Sequence, residues 1–144
     1  MARWRAEALS RLPDLRRVIT SADNIMALWI DLESSFEKAY KAEPRDESSI
    51  SRIYAFADWC LQARPVPDAA HDPCSAVVVG FYEHIPTFRP ARDDMPRWFT
   101  YDEVAQNKHV FSYHIGDEAY QELVDYMRKN QRRHLPRARL DREA

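Results

Sequence analysis

Glycine is nearly missing from this chain: 144 residues contain two, Gly80 and Gly116. Tight β-hairpins draw on glycine for positive φ, so the scarcity argues against an all-β fold. Cysteine is as sparse. Cys60 and Cys74 permit one disulfide at most and rule out a cysteine framework. Cys60 lies in an apolar, helix-like run and reads as a small buried hydrophobe. No apolar stretch approaches the roughly 20 residues of a membrane span. The opening "MARWRAEALSRL" carries charge throughout and has no apolar signal region. Together these absences lead us to expect a reducing cytoplasm. Glycine-rich phosphate loops and a Gly-x-Ser-x-Gly elbow are also missing, which excludes Walker, Rossmann and α/β-hydrolase chemistry on motif grounds.

A large excess of one charge is lacking too. The formal net charge is −2, which supplies no global attraction to nucleic acid or anionic membrane. The distribution is uneven. Residues 1–127 hold 14 basic and 21 acidic residues, whereas 128–142 hold seven basic residues and one acid. The expected organisation is a single helical domain over 1–127 with a basic tail over 128–144. The tail reads as a solvated end, and nucleic-acid contact through its arginines is the least favoured alternative.

What the chain does have is apolar residues (45%), aromatics (12%) and nine prolines set between apolar stretches. That pattern suits helices joined by stiff loops. The spacing predicts a short amphipathic helix over Trp4 to Leu12, broken near Pro13, and another turn or two up to Ile19. The surest helix runs from Ile25 to Tyr40, with Ser21 and Asp23 as caps and Pro44 as its stop. Two unusually apolar segments follow, "ISRIYAFADWCL" (Ile50 to Leu61) and "CSAVVVGFYEHI" (Cys74 to Ile85). Helices over 50–62 and 73–84 are expected at the centre of the fold. For 76–82 a buried strand competes, because three consecutive valines favour β. The Asp72-Pro73 cap favours helix. The region from Ile85 to Phe99 reads as a loop whose Phe88, Trp98 and Phe99 fold back as lids. Thr100 and Glu103 form a capping box opening a helix toward Phe111, and Asp117 caps a last helix with Tyr120, Leu123, Val124 and Met127 inward. The fold class is all-α, a bundle of about five or six helices.

Asp58, Glu83 and His84 are the candidate catalytic residues. Ionisable groups in or beside an apolar core are costly unless paired, and such groups serve as general acids or bases when they meet in a cleft. The bland alternative is a structural ion pair of Glu83 with Arg52 or Arg97. A metal site is not expected. His71-x-x-Cys74 has a familiar spacing and Cys60 could be a third ligand, but no second clear pair is present. His109 and His114, five apart, do not share a helical face. No cofactor is expected. Trp59, Trp98, Tyr54 and Tyr82 are the candidate binding residues, since displayed aromatics beside arginine make up interface hot spots. Trp59 lies opposite the Ile50/Ala57 face and is either covered or displayed.

Over "IYAFADWCL", "AVVVGFYEHIP", "MPRWF" and "FSYHIGDEAYQELVDYM" the chain resembles a family of small bacterial helical proteins with no assigned activity. The resemblance spans roughly Trp29 to Met127. It implies a bacterial source, an all-helical fold, and a defining set of Tyr54, Trp59, Cys60, Phe81, Tyr82, Glu83, His84 and Trp98. The resulting functional expectation is a non-enzymatic interaction module (adaptor, regulator or toxin-neutralising partner) that meets a protein partner or a second copy of itself. The alternatives are a small hydrolase or lyase using Glu83, His84 and Asp58, and nucleic-acid binding through the tail.

Overall fold

The computed structural model describes residues 1–131, and every regular element among them is helical. The α-helices are α1 (Arg3–Arg11), α2 (Arg16–Ser21), α3 (Ile25–Lys41), α4 (Glu47–Gln62), α5 (Pro73–Val77), α6 (Arg89–Asp93), α7 (Met95–Trp98), α8 (Tyr101–Ala105), α9 (Lys108–Phe111) and α10 (Gly116–Lys129). Short 3-10 turns occupy Pro13–Leu15, Ala69–His71 and Ile85–Thr87, and a π-helical turn occupies Val78–Tyr82. The chain clusters into two compact units, Met1–Phe81 and from Tyr82 onward. No helix among the described residues is long and apolar enough to cross a membrane. Most of the basic tail, from Arg132 on, lies outside the described residues.

All-α is the fold class, but the described residues form ten α-helices rather than five or six, and prolines explain much of the difference. Pro86, Pro90 and Pro96 punctuate the stretch expected as a loop, yet each stands in the first turn of a helical element. Proline lacks an N–H that the first turn does not use, and its φ already suits a helix. The expected long helix toward Phe111 is split as well. It breaks at Asn107, which is buried and donates its side-chain amide to the Glu103 carbonyl at 2.7 Å.

In the first unit α3 and α4 pack on each other and on α5, and α1 packs on α4. The α3 cap is Asn24, whose Oδ1 accepts the Ala27 N–H at 2.8 Å, in place of the expected Ser21 or Asp23. Asp46 caps α4, accepting from the Ser49 N–H and hydroxyl. The Ile50/Ala57 face of α4 is buried throughout, together with Ile53, Tyr54 and Leu61. At the centre the fully buried Trp29 ring stacks on Phe56 at 5.4 Å and on Phe81 at 4.8 Å. Phe36 meets Tyr40, Tyr54 and Phe81 edge-on. Each such pair contributes about 0.5–1.5 kcal/mol beyond its area, and truncating a centre of this kind costs about 3–5 kcal/mol.

The segment 76–82 is helical, as the Asp72-Pro73 cap implied, but it is not buried on all sides. α5 ends at Val77, and the π-turn that follows leaves Val79 46% exposed. Widening the turn breaks the 3.6-residue period, so a face traced from Ala76 by α-helical spacing does not continue to Glu83. A neighbouring helix approaches closely here: a Cβ placed on Gly80 would lie 2.8 Å from the Cβ of Trp29.

In the second unit α10 packs on α8, and α6 packs on the Ile85–Thr87 turn. The capping box is complete: Glu103 accepts the Thr100 N–H at 2.8 Å and donates its own N–H to the Thr100 hydroxyl at 3.1 Å. The last helix begins at Gly116, which takes φ +84°, so Asp117 sits in its first turn rather than at its cap. Tyr120, Leu123, Val124 and Met127 are buried as expected, and the Tyr120 hydroxyl donates to the Val104 carbonyl at 2.7 Å. Of the three expected lids only Phe99 is sealed, packed edge-on against Tyr82 and Phe111; Phe88 and Trp98 are half-buried.

Candidate functional site

The most site-like feature of the first unit is a groove of about 700 Å³ between the start of α1, the last turns of α4 and the connection to α5. Its walls are rings and short side chains: Trp4 from α1, Trp59 from α4, and Pro67 and Pro73 beyond it. Trp59 is half-buried and stacks on Phe56 one turn earlier, at 6.0 Å and 8° between planes. It also lines the groove. The α4 helix puts Trp59 there because the opposite arc of that helix is committed to the core.

Each wall is held from behind. Trp4 is 6% exposed and has the Arg5 guanidinium 4.5 Å from its ring. Arg5 in turn donates to the carbonyls of Ile19 and Ala22, which ties α1 to the end of α2. The Asp72 carboxylate, 7% exposed, accepts the Ser75 N–H at 3.1 Å and the Ser75 hydroxyl at 2.6 Å as the α5 cap. Asp72 also accepts the Val66 N–H at 3.2 Å, so the same carboxylate that starts α5 fastens the groove loop.

Five polar residues edge the groove: Arg3, Gln62, Arg64, Asp68 and His71. Asp68 and His71 form a pair, with Oδ2 to Nδ1 at 2.7 Å. That contact, helped by the Ala70 N–H, holds the Asp68 carboxyl below the ordinary carboxylate range. Arg3 and Arg64 form no ion pair among the described residues. The groove therefore offers rigid apolar walls and two available guanidinium groups.

The candidate catalytic residues fall elsewhere. Asp58 stands on α4 in the first unit, half-buried. Glu83 and His84 belong to the second unit. Glu83 has a largely buried side chain, and its Oε1 lies 3.6 Å from Nε2 of His114. His114 stacks on His84 with ring centroids 4.3 Å apart and meets the exposed Tyr113 edge-on. The partner of Glu83 is thus a histidine and neither of the expected arginines: Arg52 pairs with Asp14 at 2.8 Å, and Arg97 with Asp94 at 2.7 Å. Sequence spacing relates His114 only to His109 and gives no sign of its contact with Glu83. No group of three His, Cys, Asp or Glu side chains among the described residues is placed to hold a metal ion.

The candidate binding residues divide. Trp59 lines the groove. Trp98 is half-buried, donates its indole N–H to Asp94 at 3.1 Å and carries the Arg97 guanidinium 5.1 Å from its ring. Tyr54 and Tyr82 are core residues, 1% and 0% exposed, and offer no surface. Cys60 is sealed, and burial pushes its thiol far above the ordinary range against a smaller opposing effect of the Trp29 indole. Trp4, Arg3 and Arg64 belong to the groove although sequence spacing did not group them with Trp59. The one available signal was the high tryptophan count.

Comparison with protein-family models, with curated proteins and with solved structures finds no match. The geometry of these residues has to carry the functional reading.

Proposed function

We propose that the protein is a non-enzymatic interaction module that docks a protein partner in the Trp4/Trp59 groove. The observation that supports this most is Trp59 itself: a large, half-buried ring lining a groove of about 700 Å³ beside two arginines. Tryptophan and arginine are the residues most enriched where binding energy concentrates. The same reading makes the protein bacterial and cytoplasmic, in line with its sparse cysteines and its resemblance to small bacterial helical proteins. An adaptor, a regulator and a toxin-neutralising partner all fit a docking groove of this kind.

Affinity capture from a bacterial lysate, with wild type compared against Trp59→Ala and Trp98→Ala, tests the reading. We expect one stoichiometric protein that Trp98→Ala retains and Trp59→Ala loses, with both variants keeping wild-type circular dichroism. Equal recovery by a folded Trp59→Ala variant would reject the groove as the docking site.

A second reading keeps Glu83 as an acid–base group of a hydrolase or lyase. The 3.6 Å approach of Glu83 to His114, with His84 stacked behind, favours it. Turnover of a panel of ester, amide and phosphoester substrates should then vanish in Glu83→Gln. A Glu83→Gln variant that changes stability alone removes this reading.

A further inference from the structure

We infer that the groove's occupant is a short extended segment of the partner that presents an apolar or aromatic side chain flanked by carboxylates. The inference rests on the interaction reading and specifies the chemistry of the segment. Three features of the groove lead to it.

The walls select an apolar anchor. Trp4 and Trp59 supply flat rings, while Pro67 and Pro73 supply surfaces that lose little conformational freedom on contact. The groove is larger than one side chain and within the size of sites that enclose a ligand of several residues. An anchor ring laid on Trp59 would gain stacking energy as well as burial.

The charges select acid. Arg3 and Arg64 stand at the groove without an ion-pair partner among the described residues. The single acid at the groove, Asp68, is taken up by His71 at 2.7 Å. The groove is therefore locally positive on a chain whose residues 1–127 are acidic overall. Guanidinium groups bind carboxylates in a two-pronged, charge-assisted geometry. A basic segment would meet like charge at the groove and gain nothing there.

The rest of the chain disfavours a polyanion as occupant. Nucleic acids are held by a track of basic residues that neutralises many phosphates, and two arginines on an acidic body do not make one. A peptide with one or two carboxylates uses what is present.

Selection of short random peptides displayed on phage against the full chain, with counter-selection on Trp59→Ala, tests the inference. Enriched sequences should combine an apolar or aromatic residue with Asp or Glu. Their affinity should fall roughly tenfold in the Arg3→Gln/Arg64→Gln double variant, one lost charge-assisted contact being worth about that factor, and should weaken with salt. Both arginines are side chains at the groove edge, so the double variant keeps the core intact. Peptides that need Trp59 but show no acidic preference and ignore the double substitution would overturn the inference and leave the docking reading standing. Failure to enrich any Trp59-dependent peptide would overturn both. Saturable binding of 2-naphthylacetate without peptide enrichment would reassign the groove to a small aromatic acid. Tighter binding of a single-stranded oligonucleotide than of any peptide, again lost in Trp59→Ala, would reassign it to nucleic acid. Self-association abolished by Trp59→Ala would place a second copy there. Each of these last three results overturns the inference.

Discussion

Gly80 leaves no room for a side chain beside Trp29: a Cβ added at Gly80 would fall 2.8 Å from the Cβ of Trp29. The nearest atom is the root of a buried side chain, so it has little room to yield. Gly80→Ala should therefore destabilise the protein by about 1–2 kcal/mol, overpacking outweighing the gain in helix propensity. Urea denaturation would show a lower midpoint at unchanged slope. Trimming the ring with Trp29→Phe should not rescue the variant, because the obstructing atom remains.

Asp72 links the start of α5 to the groove loop through Ser75 and Val66. Replacing it with alanine removes a helix cap and leaves the Val66 N–H without its acceptor. We expect a loss of about 1–2 kcal/mol. Hydrogen exchange should quicken at Val66 and Ser75 first, while amides in the middle of α3 change only as much as global stability does. Uniform acceleration across the chain would contradict a local clamp.

The two thiols should differ sharply in reactivity. Cys60 is enclosed and its thiol is driven upward by burial, whereas Cys74 is half-buried. In the native protein a thiol reagent such as dithionitrobenzoate should modify one cysteine readily and the other only on unfolding. Cys74→Ser should abolish the fast phase. Rapid labelling that survives Cys74→Ser would mean that Cys60 is reached in the native state.

Acid should weaken one particular contact between α4 and the Pro13–Leu15 turn. The Arg52 guanidinium bonded to Asp14 at 2.8 Å holds that carboxyl below its ordinary range. A carboxylate depressed on folding stabilises the native state above its unfolded pKa, and the effect fades as pH falls through the lower, folded value. Both side chains are substantially exposed, at 34% and 54%, so the contribution is about 0–1 kcal/mol and is screened by salt. The stability difference between wild type and Arg52→Met should be present at about pH 6, and gone by about pH 2. A difference that persists in strong acid would have to come from packing of the Arg52 stem.

The helical character of the chain, the buried face of α4, the Asp72-Pro73 start and the Thr100/Glu103 box were all legible in the sequence, because each depends on residues within a turn or two of one another. Pro86, Pro90 and Pro96 misled, since proline marks a loop and a helix start by the same fixed φ and missing N–H. The π-turn at Val78–Tyr82 was invisible to a reading that assumed 3.6 residues per turn. Long-range partners were the hardest. Nothing in the pattern tied Glu83 to His114, 31 positions along, or Trp4 to Trp59. Tyr54 and Tyr82 look like contact residues on composition, but a tyrosine ring packs equally well in a core, where both lie.

The first residues of the chain line the groove, Ala2 and Arg3 among them, and Met1 is 87% exposed beside them. Anything joined ahead of Met1 therefore leaves from the rim. An affinity handle or reporter fused there would hang over the opening and compete with whatever belongs inside, most of all if the handle is acidic. A weak result from such a fusion would describe the fusion. How the protein is labelled thus becomes part of any measurement of what it binds.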